Sequence, residues 1–390
     1  MDAVTDLAAA REAVRRAVAA SSAGLVGRRA LVELVALSAI AGEHALVLGP
    51  PGTAKSEAVR RIAQSLGGNY FEYLLGRFTE PSEVFGPVSL RRLKEGFVET
   101  ETAGMLPEAD VAFLDEVFLG STAILNTLLG LLNERRFRRG HTAVACPLRV
   151  CVGASNQLPD HEHLAAFADR FLVRVFVEPV GDPELEELLE AAWSHGQAPR
   201  APEASLADLD ALAAAARAAD LAAVRPLLAH ALRRVRGAGV ELTDRRAARV
   251  QRLVAAAALL AGRGRPDERD LWPLVFAIPT EAGQRIARDA LRDLLAPSEN
   301  TSLPAAAEEG SLGPLARAAR LAAQAERLLD GPRDDDGAGA FRLKLEAIAR
   351  EIDAGFSAEA TPPELARARE RIVEQLSRLT DDDAGAAAPR

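Results

Sequence analysis

Lysine is nearly absent from this chain of 390 residues: Lys55, Lys94 and Lys344 are the only three, although lysine and arginine together number 47. Arginine supplies positive charge almost everywhere, so a lysine kept in that background marks a position that needs a compact ammonium. Cysteine is as scarce. Cys146 and Cys151 are the only two, which excludes a disulfide framework; with no further Cys or His at ligand spacing they read as buried free thiols, not a zinc site. Long apolar runs are missing as well. None approaches the roughly twenty residues that cross a bilayer, so no membrane insertion is expected. The N-terminus carries Asp2, Asp6 and Glu12 where a signal peptide needs an apolar stretch, and a cytoplasmic location is expected. The formal charge of -9 and pI of about 5.4 disfavour a general affinity for nucleic acid phosphates.

What is present suffices for two or three domains, with 48% apolar residues to fill their cores. Apolar positions Val4, Leu7, Val14 and Val18 predict an opening helix, and 29–41 a second. The period then changes. Short apolar runs at 44–48, 70–75, 111–114, 148–154 and 172–177 read as buried strands, separated mostly by helical patterns such as 56–66 and 123–133. Alternation of this kind implies a mostly parallel sheet covered on both faces. Beyond Pro179 the strand signal stops, and 183–193, 206–218, 221–235, 244–261 and 267–278 read as successive helices. The stretch 297–313 looks like a linker and 334–339 like a second break. Further helices are expected at about 314–330, 340–355 and 363–379, with a disordered tail after Thr380.

Gly49-Pro50-Pro51-Gly52-Thr53-Ala54-Lys55-Ser56 follows the first strand and opens a helix. In that setting backbone N–H groups wrap a triphosphate and the helix N-terminus faces its charge. Lys55 would reach the β- and γ-phosphates of ATP, and the Ser56 hydroxyl would ligate Mg2+. Ala54 departs from the G-x-x-x-x-G-K-S/T pattern, which has glycine there, and its methyl is expected to crowd the loop. Val111-Ala112-Phe113-Leu114-Asp115-Glu116 is an apolar strand ending in two acids, costly to bury unless a cation or a reaction uses them. Asp115 would hold the metal, and Glu116 would orient or deprotonate the attacking water.

The strand at 149–154 ends in Ser155-Asn156-Gln157, placing Asn156 at the carboxyl edge of the sheet, where it can position the water opposite Glu116. Asp169-Arg170-Phe171 precedes the last strand, where Arg170 could stabilise the transferring phosphoryl of a neighbour's ATP. Arg135, Arg136, Arg138, Arg139 and His141 form either a basic substrate contact or a solvated hairpin. His161-Glu162-His163 has metal spacing but no third ligand, and reads as surface. Nothing supports a nucleophilic triad.

Together these residues resemble the MoxR group of AAA+ ATPases, most closely its RavA branch. The likeness is carried by GLVGR, GPPGTAKS, the run LLGRFTEPSEVFGPVSLRRLKEGFVETETAGMLPEADVAFLDE, AILNTLLGLLNERRFRRG and ASNQLP, and resumes at Leu242-Thr243-Asp244-Arg245-Arg246 and at 259–262. Alanine at position 54 is similar to RavA-type members. The resemblance implies a hexameric ring with ATP at subunit interfaces, Leu25 and Val26 near the adenine, and Arg170 given to the neighbour as a finger. It also implies Arg245 as a second sensor on the lid, with Arg246 as the alternative, and hairpin inserts at 88–101 and 137–146 that face a pore or substrate. It fades after roughly residue 296.

The expectation is an α/β fold: an AAA+ P-loop NTPase core at 1–181 with a mostly parallel sheet, an all-helical lid at 182–296, and a linker with C-terminal helices at 297–390. ATP hydrolysis would remodel a client protein, with a von Willebrand factor A domain protein as partner by family resemblance. Two rivals remain: a nucleotide-gated scaffold with little turnover, against which Asp115, Glu116, Asn156 and Arg170 argue, and a nucleic-acid motor, against which the net acidity argues.

Overall fold

A computed structural model of the chain describes residues 3–159, 162–181, 185–194, 201–311 and 361–386, with short helical pieces between 321 and 353. Two helices, α1 (Ala3–Ser22) and α2 (Arg29–Ala41), lead into β1 (Ala45–Leu48), and α3 (Lys55–Leu66) and β2 (Tyr70–Leu74) follow. Short helices α4 (Pro81–Phe85) and α5 (Leu90–Lys94) precede β3 (Val111–Asp115). Then come α6 (Thr122–Glu134), the hairpin β4 (Arg136–Arg139) and β5 (Thr142–Ala145), β6 (Val150–Ser155), α7 (Glu162–Ala168) and β7 (Val173–Phe176). The five strands expected from the apolar runs form one sheet in the order β2-β3-β6-β1-β7, every pair parallel.

Burial on both faces explains why those runs are continuously apolar instead of alternating. Along β1, Ala45 and Val47 face the core built with α1, α2 and α3, while Leu46 and Leu48 face the core built around α6. Along β3, Val111 and Phe113 join the first core and Ala112 and Leu114 the second. A parallel sheet brings all its strand ends to one edge, so the loops after β1, β3 and β6 meet there.

The two expected inserts are joined to each other. Val88 bridges Thr100 in the first, with α5 near its tip. His141 N of the β4–β5 hairpin donates to Val98 O at 2.8 Å, and Thr100 N donates to Thr142 Oγ1 at 2.8 Å.

The helical part consists of α8 (Leu185–Ser194), α9 (Leu206–Ala218), α10 (Val224–Gly237), α11 (Asp244–Leu260), α12 (Pro273–Phe276), α13 (Glu281–Ala290), α14 (Arg292–Leu295) and α15 (Pro304–Ser311). The single helix expected over 267–278 is broken into a 3-10 turn, Glu268–Asp270, and α12. Pro273 has no N–H to continue a helix and stands instead in the first turn of the next one.

The chain divides into two compact units, Met1–Pro179 with Trp193–Ser311, and Val180–Ala192 with Leu312–Arg390. Neither border coincides with 181/182 or 296/297. Helices α9 to α14 belong with the sheet: Glu43, fully buried, accepts from Arg249 at 3.2 Å and Arg252 at 2.9 Å of α11, and Arg149 pairs with Asp210 of α9 at 2.8 Å.

Over 300–311 the expected linker is instead part of the first unit. Ser, Pro and Gly suggest a loop, yet Leu303, Ala306 and Ala307 are buried, and Asn300 and Ser302 bond the carbonyls of Ala257 and Leu260 at 2.9 and 2.6 Å. The buried Glu33 carboxylate of α2 accepts from Ala306 N at 2.7 Å in the first turn of α15 and from Arg29 at 3.0 Å. Burial nevertheless pushes its carboxyl up to about 7. A chain ending at 311 is therefore expected to stay folded, whereas one ending at 296 strips Glu33 of its amide partner and uncovers the surface under Leu303. That loss is worth at least about 3 kcal/mol. Thermal melts of the two truncations check this, and equal melting points would contradict it.

The second unit has its own core of Leu321, Leu345, Ile348, Ile352, Leu365 and Ile372. Its terminal helix, Pro363–Ala386, runs past Thr380, where the tail was expected to begin. The expected break at 334–339 lies outside the described residues. Among the described residues no helix is long and apolar enough to cross a membrane.

Candidate nucleotide-binding site

The phosphate loop leaves β1 at Leu48 and winds into α3. Gly49 is required by close approach, because a Cβ there would lie 2.1 Å from Val177 O. Gly52 (φ 79°) and Ala54 (φ 57°) are both left-handed. Ala54 immediately precedes α3, and no side chain caps that helix. Its first amides have no partner within the helix and are open to an anion.

Lys55 is 8% exposed, and its Nζ donates to Gly49 O at 2.9 Å and Pro50 O at 2.8 Å. Burial pulls its ammonium below the usual lysine range, opposed by Asp115 and Glu116 and reinforced by Arg28. A cation held only by loop carbonyls exchanges them readily for phosphate oxygens.

Ala54 places a Cβ in a left-handed backbone, at a cost of about 1 kcal/mol relative to glycine. Ala54→Gly is expected to leave nucleotide affinity within about threefold, since that strain is small and an added glycine loosens the unfolded chain by a similar amount. Ala54→Val, β-branched at the same φ, should lose most of the affinity. Titration with a fluorescent ATP analogue distinguishes the two, and equal affinity would remove the backbone argument.

At the same edge β3 delivers the two acids, both half-buried. Asp115 Oδ1 accepts from Glu116 N at 3.0 Å, and Glu116 itself is left-handed at φ 47°. This turn swings Glu116 toward the end of β6, where Asn156 Nδ2 donates to Glu116 Oε1 at 3.0 Å. The loop and the sensor strand touch directly, Gly49 N donating to Ser155 O at 3.2 Å. The half-buried Ser56 hydroxyl and the Asp115 carboxylate are hard oxygen donors of the kind Mg2+ takes, so the donor set fits that ion. Val26 is buried and Leu25 half-buried, in a turn between Gly24 (φ 70°) and Gly27 (φ 65°).

Arg170 stands elsewhere. β7 pairs with β1 so that Phe176 lies opposite Leu48 and Val173 opposite Ala45. Arg170 comes before Val173, so the whole strand, about 10 Å long, separates it from its own phosphate loop. Burial lowers the pKa of its guanidinium, Arg245 and Arg249 lower it further, and Asp169 opposes them. Arg245, side chain 40% exposed, pairs with Asp169 at 3.2 Å on that same edge. Arg246 is buried and occupied with backbone, donating to Ala277 O at 2.6 Å, to Phe171 O at 3.0 Å and to Leu172 O.

The arginines around the β4–β5 hairpin differ in exposure, Arg136 and Arg138 being exposed and Arg139 half-buried. Arg135, read from the sequence as a surface charge, is largely enclosed, donates to Gly42 O at 2.9 Å and contacts His44, while Arg138 pairs with Glu134 at 3.1 Å. His161 lies outside the described residues, as do the side chains of Glu162 and His163. Cys146 and Cys151 are buried and free. One residue of the site was given no role from the sequence, although it closes the GLVGR motif: Arg28, buried at 6% exposure, donates to Thr53 O in the phosphate loop at 2.7 Å.

A parallel sheet with a glycine-rich loop, a paired acid and a side-chain amide on its carboxyl edge, followed by a helical part, defines an α/β AAA+ fold. Residues 12–216 match the family model described as the MoxR domain in the MoxR-vWA-beta-propeller ternary systems, and the chain belongs to the MoxR family of AAA+ ATPases. Among curated relatives, one uncharacterised protein of Methanocaldococcus jannaschii is 37% identical over 63% of this chain and 65% of its own length. A second from the same organism is 46% identical over 39% of this chain and 40% of its own. The chain thus spans less than two thirds of either. The chaperone MoxR1 of Mycobacterium tuberculosis is 28% identical over 50% of this chain and 51% of its own. A solved structure described as an ATPase candidate from Cytophaga hutchinsonii shares the fold with TM-score 0.61 at 16% identity, covering 76% of this chain and 97% of that one.

Proposed function

We propose that the chain hydrolyses ATP with Mg2+ at a site completed by a second copy of itself, and uses the cycle to remodel a partner protein. The observation that carries this reading is the division of the machinery between two edges of one sheet. Lys55, Asp115, Glu116 and Asn156 gather at the carboxyl edge, while Arg170 and Arg245 stand beyond the opposite end of β7. A finger that cannot reach its own loop serves a neighbour's, which is what a ring of subunits, six by family resemblance, provides.

The geometry supports a role for each residue. The amides at the start of α3 and the Lys55 ammonium take the triphosphate, with the base beside Leu25 and Val26. Ser56 and Asp115 would hold Mg2+, which when bound neutralises charge on the phosphate oxygens. Glu116 orients the attacking water and takes its proton, held in place by the Asn156 amide. Of the two lid arginines, Arg245 is the exposed one and shares the finger's edge, so we assign it the sensor role in trans; Arg246 fastens lid to sheet. The family is described from MoxR-vWA-beta-propeller systems, which supports a von Willebrand factor A domain protein as partner.

Lys55→Ala tests the nucleotide site. It removes the ammonium facing the phosphates, and ATP affinity is expected to fall by at least about tenfold. Unchanged affinity in a fluorescent-analogue titration would make the loop vestigial. Binding without turnover in the wild type would favour the scaffold reading instead.

A further inference from the structure

Arg28 follows the Gly27 turn and precedes α2. Its Nε donates to Thr53 O, its Nη1 to Gly27 O and its Nη2 to Glu178 O, each at 2.7 Å. One planar fork thus joins three backbone segments remote in sequence: the turn after Leu25 and Val26, the phosphate loop, and the exit from β7. Only arginine carries donors fixed in such divergent directions.

The bond to Thr53 has a consequence for the loop. In a trans peptide the C=O and the following N–H point opposite ways. With Thr53 O drawn back onto Arg28, the Ala54 N–H is aimed away from it. Thr53 lies between two left-handed residues, Gly52 and Ala54, so this peptide needs an external anchor to hold its direction. A second contact ties loop and exit together independently of Arg28. Gly49 is pressed against Val177 O, where a Cβ would lie at 2.1 Å, and Val177 N donates to Leu48 O at 2.7 Å. From Pro179 the chain leaves the first compact unit.

We infer that Arg28 is a positioning residue that locks the phosphate loop to the exit of β7, so that filling the loop with a triphosphate alters the backbone at 177–181 as well as the loop itself. The inference rests on the nucleotide reading of the site.

Hydrogen exchange on the full chain, with and without Mg2+ and a non-hydrolysable ATP analogue, separates the two claims. Protection gained at 50–57 in the wild type supports nucleotide binding, and its absence sinks that reading and this one with it. Changed protection at 177–181 supports a coupling of loop and exit, its loss in the Arg28 variant assigns that coupling to Arg28, and binding at 50–57 with no change at 177–181 overturns the lock alone.

Arg28→Lys keeps the charge but not the fork. It is expected to raise KM for ATP by about tenfold, the effect of losing charge-assisted hydrogen bonds, with a smaller change in kcat, and to lose the response at 177–181. A merely structural arginine would lower the melting temperature without separating KM from kcat. Wild-type KM and wild-type exchange in Arg28→Lys would overturn the proposal. If that variant does not fold, Arg28→Gln, which keeps a planar donor but not the three-way fork, is measured in the same way, and wild-type KM with wild-type exchange in it would overturn the proposal.

Discussion

Arg170→Ala is expected to bind ATP normally and to lose hydrolysis by at least about a thousandfold, the range in which arginine fingers act on phosphoryl transfer. Binding survives because the residue stands before β7, a strand's length from the loop that its own chain presents. Hydrolysis would not, because in the proposed shared site the charge that spreads over the transferring phosphoryl group comes from that guanidinium. Among the described residues its Nε has no hydrogen-bond partner, and Arg245 lies close enough to disfavour its charge. The sharper measurement mixes Arg170→Ala with Lys55→Ala. The second variant cannot use nucleotide but still offers its finger, so mixed assemblies contain interfaces with both parts intact, and some activity returns. If the variants co-assemble and mixing restores nothing, Arg170 acts within its own subunit or only holds the turn, and the shared site is wrong.

Glu116→Gln should retain ATP and slow its hydrolysis by about a hundredfold or more, the usual contribution of a positioned general base. The substitution is conservative for the fold. Glutamine tolerates the left-handed φ of 47° no worse than glutamate, and its amide oxygen still accepts from Asn156. What disappears is the ability to take a proton from water. Single-turnover kinetics with bound ATP isolates that step, and turnover close to wild type would remove Glu116 from the mechanism. A deficit in binding instead would mean that the carboxylate belongs to the metal and phosphate shell.

Much of this was legible because it is local. The five strands announce themselves as continuous apolar runs, since a strand buried on both faces has no polar side to show. Phosphate loop and acid pair are equally local: each is a strand end followed by residues whose chemistry has few other uses. Asn156 was read as facing Glu116 because parallel strands deliver their ends to one edge, and the structure places the two amide and carboxylate groups 3.0 Å apart.

Tertiary structure alone decided the rest. The resemblance named Arg245 and left the adjacent Arg246, at the start of the same helix, as the alternative. Their difference lies in which face of α11 meets the sheet, a matter of packing: Arg246 is consumed by the carbonyls of Phe171, Leu172 and Ala277, and Arg245 stays half-exposed beside Asp169. The same holds for 300–311. Its small and polar residues spell a linker until α2 supplies Glu33, whose carboxylate meets the start of α15 from far along the chain. Arg28 is the clearest case, for nothing near it in sequence names Thr53 or Glu178 as partners. Composition and periodicity determine what the strongly patterned segments become, because backbone propensity is short-range; which arginine pairs with which backbone is fixed only when segments distant in sequence close around it, because a guanidinium is defined by the acceptors that surround it.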